Sequence, residues 1–190
     1  MKRTELIAHF VSFVLVVITF LGILWQREDN SELRKLGKEQ LEQQKKDSQA
    51  QRDDAKILLE AQISVEFDKQ FDSLEMRQAR RRIATQLMNN KIATEARVPL
   101  FLDKLGLYAH QGRIDRATVY HSYVYWVERY WPAIKPSVEE FRKKQNDKSF
   151  WVEFEKLYGD MLADDAKYGL PQPSEMEIQR FLKEEATLPQ

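Results

Sequence analysis

The chain has 190 residues, enough for one modest domain beside an extended segment and too few for two domains. Its 30 lysines and arginines balance 30 aspartates and glutamates, so whole-chain charge gives no argument for a nucleic-acid or acidic partner. Cysteine is absent, which excludes disulfides, thiolate zinc sites and cysteine nucleophiles.

Residues 1–26 read as a membrane anchor. From Leu6 to Gln26 the only ionisable side chain is His9, and the run from Ile7 to Trp25 is 19 residues long. As a helix rising about 1.5 Å per residue, it spans roughly the 30 Å hydrocarbon core of a bilayer. Trp25 closes the run beside Gln26 and Arg27, where an amphipathic ring suits the headgroup level. A cleaved signal peptide fits less well, because its apolar core is usually about 7–15 residues and LGILWQRED lacks a small-x-small cleavage site. Lys2 and Arg3 precede the span, whereas Arg27, Arg34, Lys35, Lys38, Lys45 and Lys46 follow it within 20 residues. That six-to-two excess predicts a single-pass protein with its bulk in the cytoplasm.

After Gly37 there is no glycine or proline until Pro99, a gap of 61 residues rich in strong helix formers. Read as one helix it would extend roughly 90 Å. Residues 27–56 are mostly polar, and between Glu42 and Asp54 the only apolar side chain is Ala50. This predicts a solvated helical stalk rather than a coiled coil. Residues 57–168 read as a helical bundle. Leu59, Ile63, Phe67, Phe71 and Leu74 make one apolar stripe; Met76, Ala79, Ile83 and Leu87 make a second that faces roughly the opposite way. Either the helix bends near Ser73–Gln78, or successive partners cover different sides.

Pro99 suits a first helical turn, and Gly112 marks a helix end. Asp115 is the expected N-cap of the most aromatic helix, with Tyr120, Tyr123, Tyr125, Trp126, Tyr130 and Trp131. On it, His121, Tyr125, Glu128 and Arg129 form the predicted wet stripe, while Trp126 and Trp131 should pack against Phe101 and Phe154. Pro132 and Pro136 should stop or kink this helix, with a fresh start at the Ser137–Glu140 capping spacing. Another helix is expected from Ser149. Residues 169–190 read as a turn and a short helix opened by a Ser174–Glu177 capping box. The expected fold is therefore all-α: transmembrane helix, polar helical stalk, compact bundle.

No motif with a strong mechanism is present, whether phosphate loop, nucleophile elbow, zinc-protease helix or calcium loop. His110 and His121 lack ligand-spaced carboxylates, so no metal, cofactor or catalytic residue is assigned and the chain is not read as an enzyme. Asp164-Asp165 and Glu184-Glu185, adjacent in sequence, point about 100° apart on a helix and read as solvated faces. One basic cluster stands out: Arg77, Arg80, Arg81 and Arg82. It is the candidate interaction surface, although pairing with acidic residues of neighbouring helices is the simpler expectation.

Arg129-Tyr130-Trp131-Pro132 and Lys135-Pro136, with Gly112, Ile114, Asp115, Val119 and Tyr120 before them, carry a resemblance to an uncharacterised bacterial family of membrane-anchored helical proteins, a domain of unknown function. The resemblance covers roughly residues 66–158 and implies a location in the bacterial inner membrane and no catalytic residues. The leading expectation is a membrane-tethered module that mediates protein–protein interaction. A homo-oligomer is left open, and the alternative is a tethered sensor or effector that binds nucleic acid or a nucleotide through Arg77–Arg82.

Overall fold

The computed structural model describes the backbone of residues 3–89 and 91–189, and the side chains of those residues outside 3–14 and 22–34. The described residues form six α-helices and no strand: α1 (Arg3–Phe71), α2 (Leu74–Met88), α3 (Arg97–His110), α4 (Arg116–Gln145), α5 (Val152–Tyr168) and α6 (Glu175–Ala186). The all-α class expected from sequence is the class observed. The chain divides into two compact units, Met1–Lys56 and Ile57–Gln190.

The first unit is the leading part of α1. Side chains 35–56 are all exposed, and the helix there is laced by i,i+4 bonds from Gln43 Nε2 to Asp47 (2.9 Å) and from Gln49 Nε2 to Asp53 (3.0 Å). Such pairs support a helix that buries little. Among the described residues no helix is long and apolar enough to cross a membrane. Of the 7–25 run only side chains 15–21 are described, so the expected transmembrane helix gains no support from the structure and falls largely outside the described residues.

The second unit begins with the end of α1. The chain neither continues nor merely bends after Phe71. It breaks at residues 72–73, and the Ser73 hydroxyl accepts the Met76 N–H (3.2 Å) to start α2. The break resolves the two opposed stripes, since Phe67 and Phe71 on α1 and Met76, Ala79 and Ile83 on α2 enter one core. Leu59 and Leu74, which periodicity placed in the first stripe, are exposed: Leu59 lies ahead of the covered turns of α1, and the break at residues 72–73 takes Leu74 out of register with Phe67 and Phe71.

Helix α3 contributes Val98, Phe101, Leu102 and Leu105 to that core. Gly106 lets it approach α5 closely, because a Cβ there would collide with the Glu153 carbonyl. Helix α4 is capped by Asp115, whose carboxylate accepts the Thr118 N–H (3.0 Å), and ends at Asn146 in the left-handed conformation.

Contrary to expectation, α4 runs through Pro132 and Pro136 for 30 residues. Each proline leaves the carbonyl four residues back without its helical donor. The helix persists because Trp131, Ile134 and Val138 around them are buried and hold the backbone in place. Ser137 does not start a helix. Its hydroxyl accepts the Ala93 N–H (3.0 Å) and ties down the segment before α3. Trp131 packs edge-on against Phe154 as expected, centroids 5.0 Å apart, whereas Trp126 meets Phe71 (4.9 Å).

Helix α5 opens at Val152 rather than Ser149. Its N-cap, Trp151, is left-handed (φ 53°) and offers no capping oxygen. Asp103 of α3 supplies one, accepting the Glu153 (2.9 Å) and Phe154 (3.0 Å) N–H groups. Helix α6 starts on the Ser174–Glu177 capping box. It is no appendage: Phe181 and Leu182 are buried, and α6 packs on α2 and α4.

Candidate functional site

The four arginines singled out in the sequence do not share one surface. Arg80 turns into the core, where its Nε and a terminal nitrogen reach the Glu185 carboxylate of α6 at 2.7 and 2.5 Å. Its guanidinium also lies 4.3 Å from the Phe71 ring centroid. Burial alone would lower the Arg80 pKa, but the bonds and charge of Glu185 outweigh it and hold the group cationic. Tyr130 of α4 completes the cluster by donating to Glu185 (2.6 Å). Arg82 faces out and pairs with Glu95 at 2.8 Å. Arg77 is half-buried, its Nε without a hydrogen-bond partner. Arg81 makes no ion pair among the described residues, and lines a shallow hollow on α2 with Gln78, Arg82, Thr85 and Gln86.

A second buried polar cluster joins α4 to α5. Glu128, expected in the wet stripe, is buried, as is Asp165, expected on a solvated face. The rest of that stripe holds better, since His121 and Tyr125 are exposed. Tyr120 donates to Asp165 through a short hydrogen bond, and the Glu128 and Asp165 carboxyls interact directly. Burial, then the contact and negative charge of Asp165, push the Glu128 pKa up to about 8 against a weaker pull from Arg129. Asp164 next door is half-buried rather than solvated, and pairs with Arg116 (2.8 Å) and Lys167 (2.7 Å). Glu185, like Asp165, corrects the solvated reading of adjacent carboxylates. Neighbouring helical residues do diverge, and in each pair the divergence sends one of the two into the core.

His110 also has carboxylate company. It sits between Glu153 (Nδ1, 2.5 Å) and Asp160 (Nε2, 3.0 Å), both on α5. Each ring nitrogen serves a different carboxylate, an orienting arrangement rather than a chelating one. No group of three or more histidines and carboxylates is placed to hold a metal among the described residues.

Two clefts flank these clusters. One of about 420 Å³ lies between residues 92–96, Ile134, Phe141 and Trp151. The other, about 530 Å³, is lined by Arg116, Tyr120, His121, Asp164 and Tyr168.

One uncovered apolar feature of the second unit is a run on α1. Ile57, Leu58, Leu59 and Val65 are 63, 65, 56 and 50% exposed. Three consecutive helical residues sweep about 200° of surface, so the turn at 57–59 is bare on most of its circumference. Sequence reading assigned Leu59 to the core and made no separate use of Ile57 and Leu58. The missed signal is that all three are large and apolar, more than one buried face of a helix can use.

No curated protein and no solved structure matches the chain. One family does, over residues 6–161, which take in the apolar N-terminal run and α1 through most of α5. With most of its length matched, the chain belongs to the family described as a domain of unknown function, DUF4760.

Proposed function

We propose that this protein is a membrane-tethered, non-catalytic helical module that acts by binding another protein, and that the 57–65 stretch of α1 carries the contact. The observation behind it is the apolar turn of Ile57, Leu58 and Leu59, continued by Val65, which no other part of the second unit covers. Exposed apolar groups of this size cost free energy unless a partner removes them from water. Tethering rests on the 19-residue run from Ile7 to Trp25, and a cytoplasmic bulk in a bacterial inner membrane rests on the excess of Lys and Arg after that run and on the family resemblance. The arginine cluster is the weaker candidate contact, because Arg80 is committed to Glu185 and Arg82 to Glu95.

A photo-crosslinking amino acid at position 58 of the full-length chain, irradiated in native membranes, tests the reading. A discrete adduct that is missing when the probe sits at the polar, exposed position Lys45 is the expected result; its mass tells a second copy from a different protein. The same adduct pattern at both positions would sink the proposal. Recovery of the chain in the soluble fraction would sink the tether.

A further inference from the structure

We propose that Glu128 keeps a proton that it donates to Asp165 across the α4–α5 contact, and that opening of the contact releases this proton, so rising pH loosens the last turns of α5. Both residues are more than nine-tenths buried, at 6 and 4% exposure, and their carboxyls meet. Two ionised carboxylates cannot hydrogen-bond to each other, and Glu128 Oε1 has no other donor within reach. A proton on Glu128 turns the repulsion into a donated bond to Asp165, whose other contact, from Tyr120, is already a donor. Two like carboxyls at contact distance in a buried site retain one proton for the same reason.

The other charged and titratable groups around the pair do not remove the need for that proton. From α4 they are Tyr120 and Arg129, the latter half-buried with its guanidinium on the Tyr125 carbonyl and ring. From α5 they are Tyr158, whose hydroxyl is disfavoured from ionising by burial and by Glu128, and Asp164, which is neutralised outward by Arg116 and Lys167. Helix α3 directs Asp103 to the start of α5, and His110 to Glu153 and Asp160. Helix α6 directs Glu184 to Tyr125 and Glu185 to Tyr130 and Arg80.

The sign follows from the direction of the shift. In the opened state Glu128 ionises near its ordinary value of 4.5, and in the closed state near 8. The closed contact therefore holds an extra proton between those values. Its stability is fully present below pH 4.5 and is lost as pH rises towards 8.

Hydrogen exchange of residues 158–168 in the full-length chain, corrected for intrinsic rate, reads this directly. The local opening constant should climb by as much as about tenfold per pH unit between pH 5 and 8, then level off. Glu128→Gln, which donates permanently, should remove the slope. Infrared spectra at pH 6.5 should contain a protonated-carboxyl C=O band that this variant lacks; should it fail to fold, Asp165→Asn serves for both measurements. A flat profile in the wild type, an unchanged slope in the variant, or no such band at pH 6.5 would each overturn the proposal.

Discussion

Glu185 on α6 and Asp165 on α5 are both buried carboxylates, and each accepts a hydrogen bond from a tyrosine of α4. They differ in what offsets their charge. Glu185 has the guanidinium of Arg80, a group that stays charged at any pH at which the protein folds. Asp165 has a second carboxyl, Glu128, which helps only while protonated. One helix thus presents the same donor twice, at Tyr130 and Tyr120, to two sites of which only the second has a titrating counter-group. The lesson is that a buried carboxylate says little about a site until its counter-group is known. A cation makes a fixed joint between α2, α4 and α6, and a proton on Glu128 makes a titratable one between α4 and α5.

The largest expected effect breaks the fixed joint. Arg80→Ala leaves Glu185 buried without its cation and should cost about 3–5 kcal/mol, read as a lowered urea midpoint. Replacing both partners with Met and Leu should recover most of that loss. Arg80→Ala stability within 1 kcal/mol of wild type, roughly the ceiling for a surface pair, would place the pair outside the core. Next comes the tyrosine at each site. Tyr130→Phe removes a donor to a buried charged acceptor and should cost about 1.5–3 kcal/mol. Tyr120→Phe should cost less, because its hydroxyl sits at the rim of a cleft; equal losses in the two variants would erase the distinction drawn between the sites. The smallest change is at Arg82, whose pairing with Glu95 leaves it half in solvent. Arg82→Ala should shift stability by no more than about 1 kcal/mol, so a loss like that of Arg80 would show the surface reading to be mistaken.

Much of the helical layout was legible because its signals are local. Asp115 and the Ser174–Glu177 box cap the helices they were expected to cap, and the opposed stripes around Ser73 marked a real discontinuity. Local rules failed where tertiary contacts outweighed them. Pro132 and Pro136 read as stops or kinks with a fresh helix after them, yet buried neighbours carry α4 through both as one helix. Ser137 had the spacing of a cap and serves a distant N–H instead. The polar clusters were less visible still. Arg80 and Glu185 are 105 residues apart, and although helical spacing sets Arg80 on the stripe of Met76, Ala79 and Ile83, nothing local names the acid it meets. Glu128 read as wet because its helix is apolar on two other rows, and only the placement of α5 covers it.

The borrowed cap at the start of α5 bears on how this domain comes together. Trp151 supplies no acceptor, so the first N–H groups of α5 depend on Asp103, 50 residues earlier in the chain. Gly106, one turn along α3, clears the space in which Glu153 sits against it. Helix α5 is therefore unfinished at its N-terminus until α3 is docked, and an isolated α5 peptide would fray there. The two helices form a single cooperative unit in assembly, with the loss of one helix's seat felt as unwinding in the other.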